Sequence, residues 1–135
     1  MKKKVNVHYI SRLFDPLFSL SDEEISGLSK IDFNNELETK EFFAERILEN
    51  FKLYGTGSRE IVKNTLQYIL CFLDKYKFDE LFPYGDLPVE APKNNELFFS
   101  WLWEELFPGE IMDSSDVSDF FVNNNYSEPN SAYIK

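Results

Sequence analysis

Apolar residues recur at helical spacing along the middle of the chain and predict its most buried helix, over residues 58–77. From Ile61 to Leu73 they cover almost every side of this helix and leave only a narrow polar stripe. A helix that is apolar nearly all round usually lies at the centre of a fold. Ser58 is its predicted N-cap, because a serine hydroxyl can accept a hydrogen bond from the first turn.

Two amphipathic helices are predicted before the central one. Ser21 and Glu24 form a capping-box pattern, which indicates a helix over about 22–29. The next helix is predicted over 35–54, with Gly55 as its left-handed C-terminal cap. The apolar stripe of this helix is predicted to comprise Leu37, Ala44, Ile47, Leu48, Phe51 and Tyr54.

Two further helices are predicted near the C-terminus. The first covers 94–107 and ends at Pro108-Gly109, because proline cannot continue a helix. Its core face is predicted to consist of Phe98, Phe99, Leu102 and Leu106, with Trp101 and Trp103 flanking it on either side. The second covers about 116–123 and turns Val117, Phe120 and Phe121 inward. From Ser127 onward the tail is predicted to be loose.

The N-terminal segment, residues 5–18, fits two patterns. The alternation of Val5, Val7 and Tyr9 favours a short strand, whereas the spacing of Tyr9 and Leu13 favours one or two helical turns. The sequence as a whole predicts an all-α fold, a compact bundle of about five helices around the central helix, in one domain over 1–135.

The charge of −10 is unevenly placed along the chain. Residues 1–78 hold twelve acids and twelve bases and are balanced, whereas residues 79–135 hold twelve acids and two bases. A Pro-rich connection over 78–93 coincides with this change, so we expect 79–135 to form an acidic lobe docked on the helical core. Such a field repels nucleic acid and anionic membranes and attracts basic partners, although solubility alone also explains acidity.

The residues that usually carry chemistry give no recognisable active site. His8 and Cys71 are the only histidine and cysteine, so neither a disulfide nor an ordinary Cys/His zinc site is expected. Gly55-Thr56-Gly57-Ser58 lacks the lysine of a P-loop, and Asp113, Asp116 and Asp119 lack the glycine of a calcium loop. We therefore expect no enzyme activity, cofactor or metal. No apolar run is long enough to span a membrane and no secretory signal follows Lys2–Lys4, so a cytoplasmic location is expected.

An exposed tryptophan ringed by carboxylates would suit a basic protein surface, and one segment offers that combination. Trp103 is the predicted anchor, and carboxylates that precede and follow it would pair with lysine or arginine of the partner. The predicted partner-binding residues are Asp86, Glu90, Trp103, Glu104, Glu105, Glu110, Asp113, Asp116 and Asp119. The alternative for these residues is a core tryptophan and a solvated acidic face.

A small, acidic, helical chain without an active site resembles the bacterial immunity proteins, including those of contact-dependent growth inhibition systems and nuclease colicins. The acidic and aromatic residues from Asp79 to Tyr126 carry this resemblance, which is one of composition and architecture. It implies a cytoplasmic inhibitor that binds one cognate basic toxin, such as a nuclease, without contacting nucleic acid or membrane. The alternatives are a phage-type inhibitor that mimics nucleic acid (anti-restriction or anti-CRISPR), a self-associating helical adaptor that forms a homodimer, and a small enzyme built around Cys71 or the aspartates.

Overall fold

The computed structural model describes most of the chain, namely residues 3–15, 17, 20–72, 92–110, 120–123, 125 and 127–132. Within these residues the fold is mostly helical, which confirms the predicted class. The predicted continuation of the central helix over 73–77, most of the Pro-rich connection and residues 116–119 of the predicted last helix lie outside the described residues.

The elements follow one another in this order: strand β1 (Lys3–Val5), helices α1 (His8–Leu13), α2 (Asp22–Leu28) and α3 (Glu36–Phe42), a π-helical turn (Phe43–Ile47), helices α4 (Leu48–Lys52), α5 (Thr56–Cys71) and α6 (Asn95–Leu106), strand β2 (Phe120–Val122) and a 3₁₀ helix (Glu128–Ser131).

Helix α5 is the predicted central helix, and it packs against β1, α1 and α6. Its start differs from the prediction. Ser58 is not the N-cap but a fully buried residue inside the helix, and Gly55 is the N-cap with φ −64°. Gly55 is therefore not a left-handed C-terminal cap. Its carbonyl oxygen already accepts from Arg59 N–H at 3.0 Å, so the helix begins one turn earlier than its apolar pattern suggests.

The predicted helix over 35–54 is one continuous helical segment whose register shifts at the π-helical turn. Leu37 is 76% exposed, so its assignment to the apolar stripe is wrong. A π turn closes on the fifth residue, as Leu48 N–H does on the carbonyl of Phe43. The shift brings Phe42 and Ile47, which are five residues apart, to the buried side.

Helix α6 agrees with the prediction in its bounds and in its core face. Asn94 caps it by accepting a hydrogen bond from Leu97 N–H at 3.0 Å. Phe98 is fully buried and packs edge-on against Phe43 and Phe33, with ring centroids 5.1 and 5.7 Å apart. These aromatic contacts hold α6 against the α3–α4 segment.

Within the N-terminal segment, the helical prediction is confirmed by α1, whereas the strand prediction is wrong at Val7 and Tyr9, because β1 ends at Val5. Strand β1 pairs in parallel with β2, with Lys3 opposite Phe120 and Val5 opposite Val122. The described part of the predicted last helix, residues 120–123, therefore holds a strand, and the helical prediction is wrong there. Phe121 is 53% exposed instead of facing inward.

The described part of the tail, residues 127–132, is packed and not loose as predicted. Ala132 is fully buried, and its carbonyl oxygen accepts from Gly55 N–H at 2.8 Å. Glu128 lies near α1, where it accepts a hydrogen bond from the Tyr9 hydroxyl at 3.3 Å. The tail thereby joins the start of α5 to α1.

Candidate functional site

Trp103, the predicted anchor, belongs to the core. Only 6% of it is exposed, and its ring lies 4.9 Å from that of Phe107. The indole N–H donates to the backbone carbonyl oxygen of Glu110 at 2.9 Å, so even its polar edge is satisfied within the chain. The prediction of an exposed anchor is wrong, because α6 packs against α3, α4 and α5 and leaves little room for an open side.

Two of the predicted binding carboxylates are held by lysines of other helices. Glu104 pairs with Lys40, which also pairs with Glu36 at 3.1 Å. The hydrogen bond to Glu104, more than any other contact, raises the pKa of Lys40. Glu110 pairs with Lys63 of α5. Both carboxylates therefore already have a cationic partner within the chain.

The remaining predicted residues divide into two groups. Glu105 is half-buried and makes no ion pair with any residue that the structure describes. The other predicted contacts lie outside the described residues: Asp86, Glu90, Asp113, Asp116 and Asp119. The structure brings Trp103 and Glu110 together through the indole hydrogen bond, while Glu104 is drawn towards α3 and the Glu110 side chain towards α5.

A different acidic surface lies between α2 and the α3–π segment. This acidic groove has a volume of about 540 Å³, and its lining includes five glutamates against two cations, Lys30 and Arg46. The glutamates are Glu23, Glu24, Glu38, Glu41 and Glu45. Leu28, Ile31 and Phe42 contribute the apolar part of the lining. The groove therefore combines an excess of negative charge with an apolar floor.

Glu24 links the two elements on either side of the acidic groove, helix α2 and the π turn. Ser21 and Glu24 form the predicted capping box at the start of α2, with the Ser21 hydroxyl accepting from Glu24 N–H at 3.2 Å. The Glu24 carboxylate also pairs with Arg46 of the π turn at 2.8 Å. Hydrogen bonds from the Ser21 backbone N–H and then from Arg46 lower the pKa of Glu24. This carboxylate therefore has a structural task.

Three other glutamates of the acidic groove are not held in this way by the described chain. Glu23, Glu41 and Glu45 are exposed and form no ion pair or side-chain hydrogen bond with any residue that the structure describes. Glu45 projects from the π turn, a type of helical irregularity that is frequent at functional sites. The three carboxylates are therefore available to a cation from outside.

The acidic groove escapes sequence reasoning because charge summed over long stretches conceals it. The net charge of residues 1–78 is zero, although acidic residues are concentrated on one side of α3. The spacing of Glu38, Glu41 and Glu45 at i, i+3 and i+7 is the signal that could have revealed a continuous acidic edge.

Neither a candidate metal-ion site nor a candidate membrane-spanning helix is found among the residues that the structure describes. Its His, Cys, Asp and Glu side chains form no group of three or more that could hold a metal ion. Among its helices, none combines the length and the apolar character needed to cross a membrane. Comparison with known proteins yields no matching family model, no matching curated protein and no matching solved structure.

Proposed function

We propose that this chain is a non-enzymatic inhibitor that captures a basic protein in its acidic groove, in the manner of a cytoplasmic bacterial toxin-immunity protein. The observation that carries the proposal is the set of three exposed glutamates, Glu23, Glu41 and Glu45, which lie beside an apolar floor and pair with no described residue. Because these carboxylates have no cation within the described chain, they can form ion pairs with lysine or arginine residues of a partner protein.

The shape of the acidic groove suits one kind of basic segment in particular. Lysine and arginine carry apolar stems below their charged heads, and such a stem can contact the half-buried Ile31 while the head reaches the glutamates. An amphipathic helix or an extended strand of the partner could present these residues in a row. A toxin that binds phosphate must expose such cations, and covering them would block its substrate.

The net charge supports fast capture of such a partner. The chain carries −10 overall, and the excess from residues 79–135 adds to the field that the acidic groove creates. Electrostatic steering of this kind raises association rates and weakens with added salt. An inhibitor that must reach a toxin before the toxin acts would benefit from a high association rate.

A capture experiment with two charge-matched triple variants tests the proposal. The first variant, Glu23→Gln/Glu41→Gln/Glu45→Gln, removes the three free carboxylates of the acidic groove. The second, Glu49→Gln/Glu60→Gln/Glu96→Gln, removes three exposed acids elsewhere and changes the net charge by the same amount. Each tagged protein is used to capture partners from lysate of the source cell, with washes at low and raised salt.

We expect a basic partner to be retained by the wild type and the second variant and lost by the first. Retention that is equally weakened in both variants would assign the effect to net charge and overturn the acidic groove as the site. The absence of any captured partner, together with a dimer in light scattering, would overturn the inhibitor and favour a self-associating adaptor.

A further inference from the structure

A second cavity, which we call the sheet cavity, lies where β1, β2 and the first half of α5 meet. Its volume is about 710 Å³, within the range of sites for small organic ligands. Val5, Ile61 and Phe121 are among the apolar residues that line it. It shares no described residue with the acidic groove, so a ligand of the sheet cavity does not depend on the proposed function.

Asn64 lines the sheet cavity with an amide that makes no hydrogen bond to any residue that the structure describes. Only 7% of the residue is exposed. Its neighbour Thr65 is satisfied, since the Thr65 hydroxyl donates to the Ile61 carbonyl at 2.6 Å and accepts from Asn6 N–H at 3.0 Å. The amide atoms of Asn64 are not sealed inside the protein but open onto the sheet cavity, where they can pair with a ligand that supplies both an acceptor and a donor.

Two side chains of opposite charge also line the sheet cavity. Lys4 and Glu60 are exposed, and neither forms an ion pair with the other or with another described residue. By contrast, Lys3 is engaged, with its Nζ 3.2 Å from the Gln67 amide oxygen and 5.6 Å from the centre of the Phe120 ring. Glu128 is engaged as well, by Tyr9 and by Asn123. The polar side chains that remain for a ligand therefore include a cation, an anion and an amide.

We propose that the sheet cavity binds a free α-amino acid with an apolar side chain. The Glu60 carboxylate and the amide oxygen of Asn64 accept hydrogen bonds from the ligand ammonium. The Asn64 amide N–H and the Lys4 ammonium donate to the ligand carboxylate. Glu60 and Asn64 stand four residues apart on α5, which makes their side chains neighbours on one face. Ile61 and Phe121 then contact the ligand side chain.

The charge of the whole chain favours such a ligand over an anionic metabolite. A zwitterion carries no net charge, so the field of a chain with ten excess negative charges does not repel it. The pair of Lys4 and Glu60 likewise sums to zero, which matches a head group that carries one charge of each sign.

Titration of the full chain with L-leucine and L-phenylalanine, followed by calorimetry and by the midpoint of thermal unfolding, tests the proposal. Binding raises the unfolding midpoint as the ligand concentration increases. N-acetyl-leucine lacks the ammonium and leucinamide lacks the carboxylate, so each should bind at least about tenfold more weakly. Lys4→Gln should leave the affinity for leucinamide unchanged, whereas it should weaken the affinity for leucine.

Three single variants locate the site. Asn64→Leu should abolish binding, and Glu60→Gln and Lys4→Gln should each weaken it by about tenfold or more. Glu49→Gln and Lys52→Gln change the same charges on exposed residues that line neither the sheet cavity nor the acidic groove, so these variants should bind the ligand as the wild type does. Glu60 and Lys4 are exposed, and their replacement leaves the core intact.

The proposal is overturned if neither amino acid binds to the wild type, or if Asn64→Leu binds as tightly as the wild type. Equal binding of leucine and N-acetyl-leucine would overturn the assignment of Glu60 to the ammonium. Each of these results leaves partner capture by the acidic groove intact, because that experiment has its own readout.

Discussion

Helix α6 and the acidic groove both combine glutamates with apolar residues, yet the glutamates of the two regions have different partners. Around α6, Glu104 and Glu110 pair with lysines of α3 and α5, and Trp103 is buried. In the acidic groove, Glu41 and Glu45 are exposed and have no cation from the described chain.

This contrast shows that the number of acids in a segment does not identify a binding surface. Glu104 and Glu110 receive a lysine from the chain, whereas Glu23, Glu41 and Glu45 receive no cation from the described chain, and this difference separates the two regions. A carboxylate that already holds a lysine must give up that contact before it can bind a partner, whereas an unpaired carboxylate has no internal contact to lose.

The greatest change that we expect is the loss of stability in Trp103→Ala, which tests whether the α6 side is structural. Removing a buried aromatic side chain typically costs about 3–5 kcal/mol. The variant also loses the hydrogen bond to the Glu110 carbonyl oxygen. Urea unfolding measures the change.

Trp103→Phe serves as the companion variant, because it keeps most of the packing and should lose only about 1–2 kcal/mol. If Trp103→Ala unfolded at the same urea concentration as the wild type, the tryptophan would belong to an exposed surface. The contrast between α6 and the acidic groove would then fail at its strongest point.

Local patterns were sufficient for some elements and not for others. The capping box of Ser21 and Glu24 and the apolar period of α6 each lie within a few residues of sequence, and both structures form as predicted. Strand β2 is three residues long and pairs with β1, which lies more than a hundred residues earlier. No local pattern of Phe120–Val122 encodes that partner, because the strand depends on tertiary pairing.

The candidate site was harder to predict for a related reason. Ion pairing depends on which helices become neighbours: Lys40 of α3 reaches Glu104 only because α3 packs on α6. The π turn adds a second difficulty, since it shifts the register between Leu37 and Ile47 and changes which residues face outward. Sequence spacing indicates the acidic edge of Glu38, Glu41 and Glu45, but it assumes a regular helix and therefore could not show that Leu37 faces outward.

We expect an intermediate loss of stability when the capping box of Ser21 and Glu24, at the edge of the acidic groove, is removed. Ser21→Ala removes the N-cap of α2 and should lower the free energy of unfolding by about 1 kcal/mol.

Glu24 makes the free energy of unfolding depend on pH, because its pKa in the folded protein lies below its ordinary value of 4.5. Stability from a lowered carboxyl pKa is fully present above the unfolded pKa and is lost as pH falls through the folded pKa.

Urea midpoints measured at neutral pH and at several pH values below 4.5 should show this loss in the wild type. Glu24→Gln should weaken the dependence on pH, and Arg46→Met should reduce it in part, since the Ser21 backbone hydrogen bond remains. A wild-type and a Glu24→Gln profile that run in parallel would show that Glu24 does not join α2 to the π turn.

The smallest expected effects are those of single Glu→Gln variants on the free energy of unfolding, and they have opposite signs around α6 and in the acidic groove. Glu104→Gln removes a surface ion pair with Lys40 and should lower the free energy of unfolding by about 0.2–1 kcal/mol. Glu41→Gln removes a carboxylate that stands three residues from Glu38 on α3 and has no cation from the described chain. Relief of this like-charge repulsion should raise the free energy of unfolding by about 0.2–0.5 kcal/mol.

The same chemical change on two exposed glutamates thus separates a carboxylate that stabilises the fold from one that destabilises it. Both differences should shrink in high salt, because screening acts on each. A double-mutant cycle of Glu104→Gln with Lys40→Met should show coupling, whereas Glu41→Gln with Lys40→Met should be additive. If both single variants lost stability equally, the glutamates of the acidic groove would be structural like those of α6, and the reason to place a partner there would disappear.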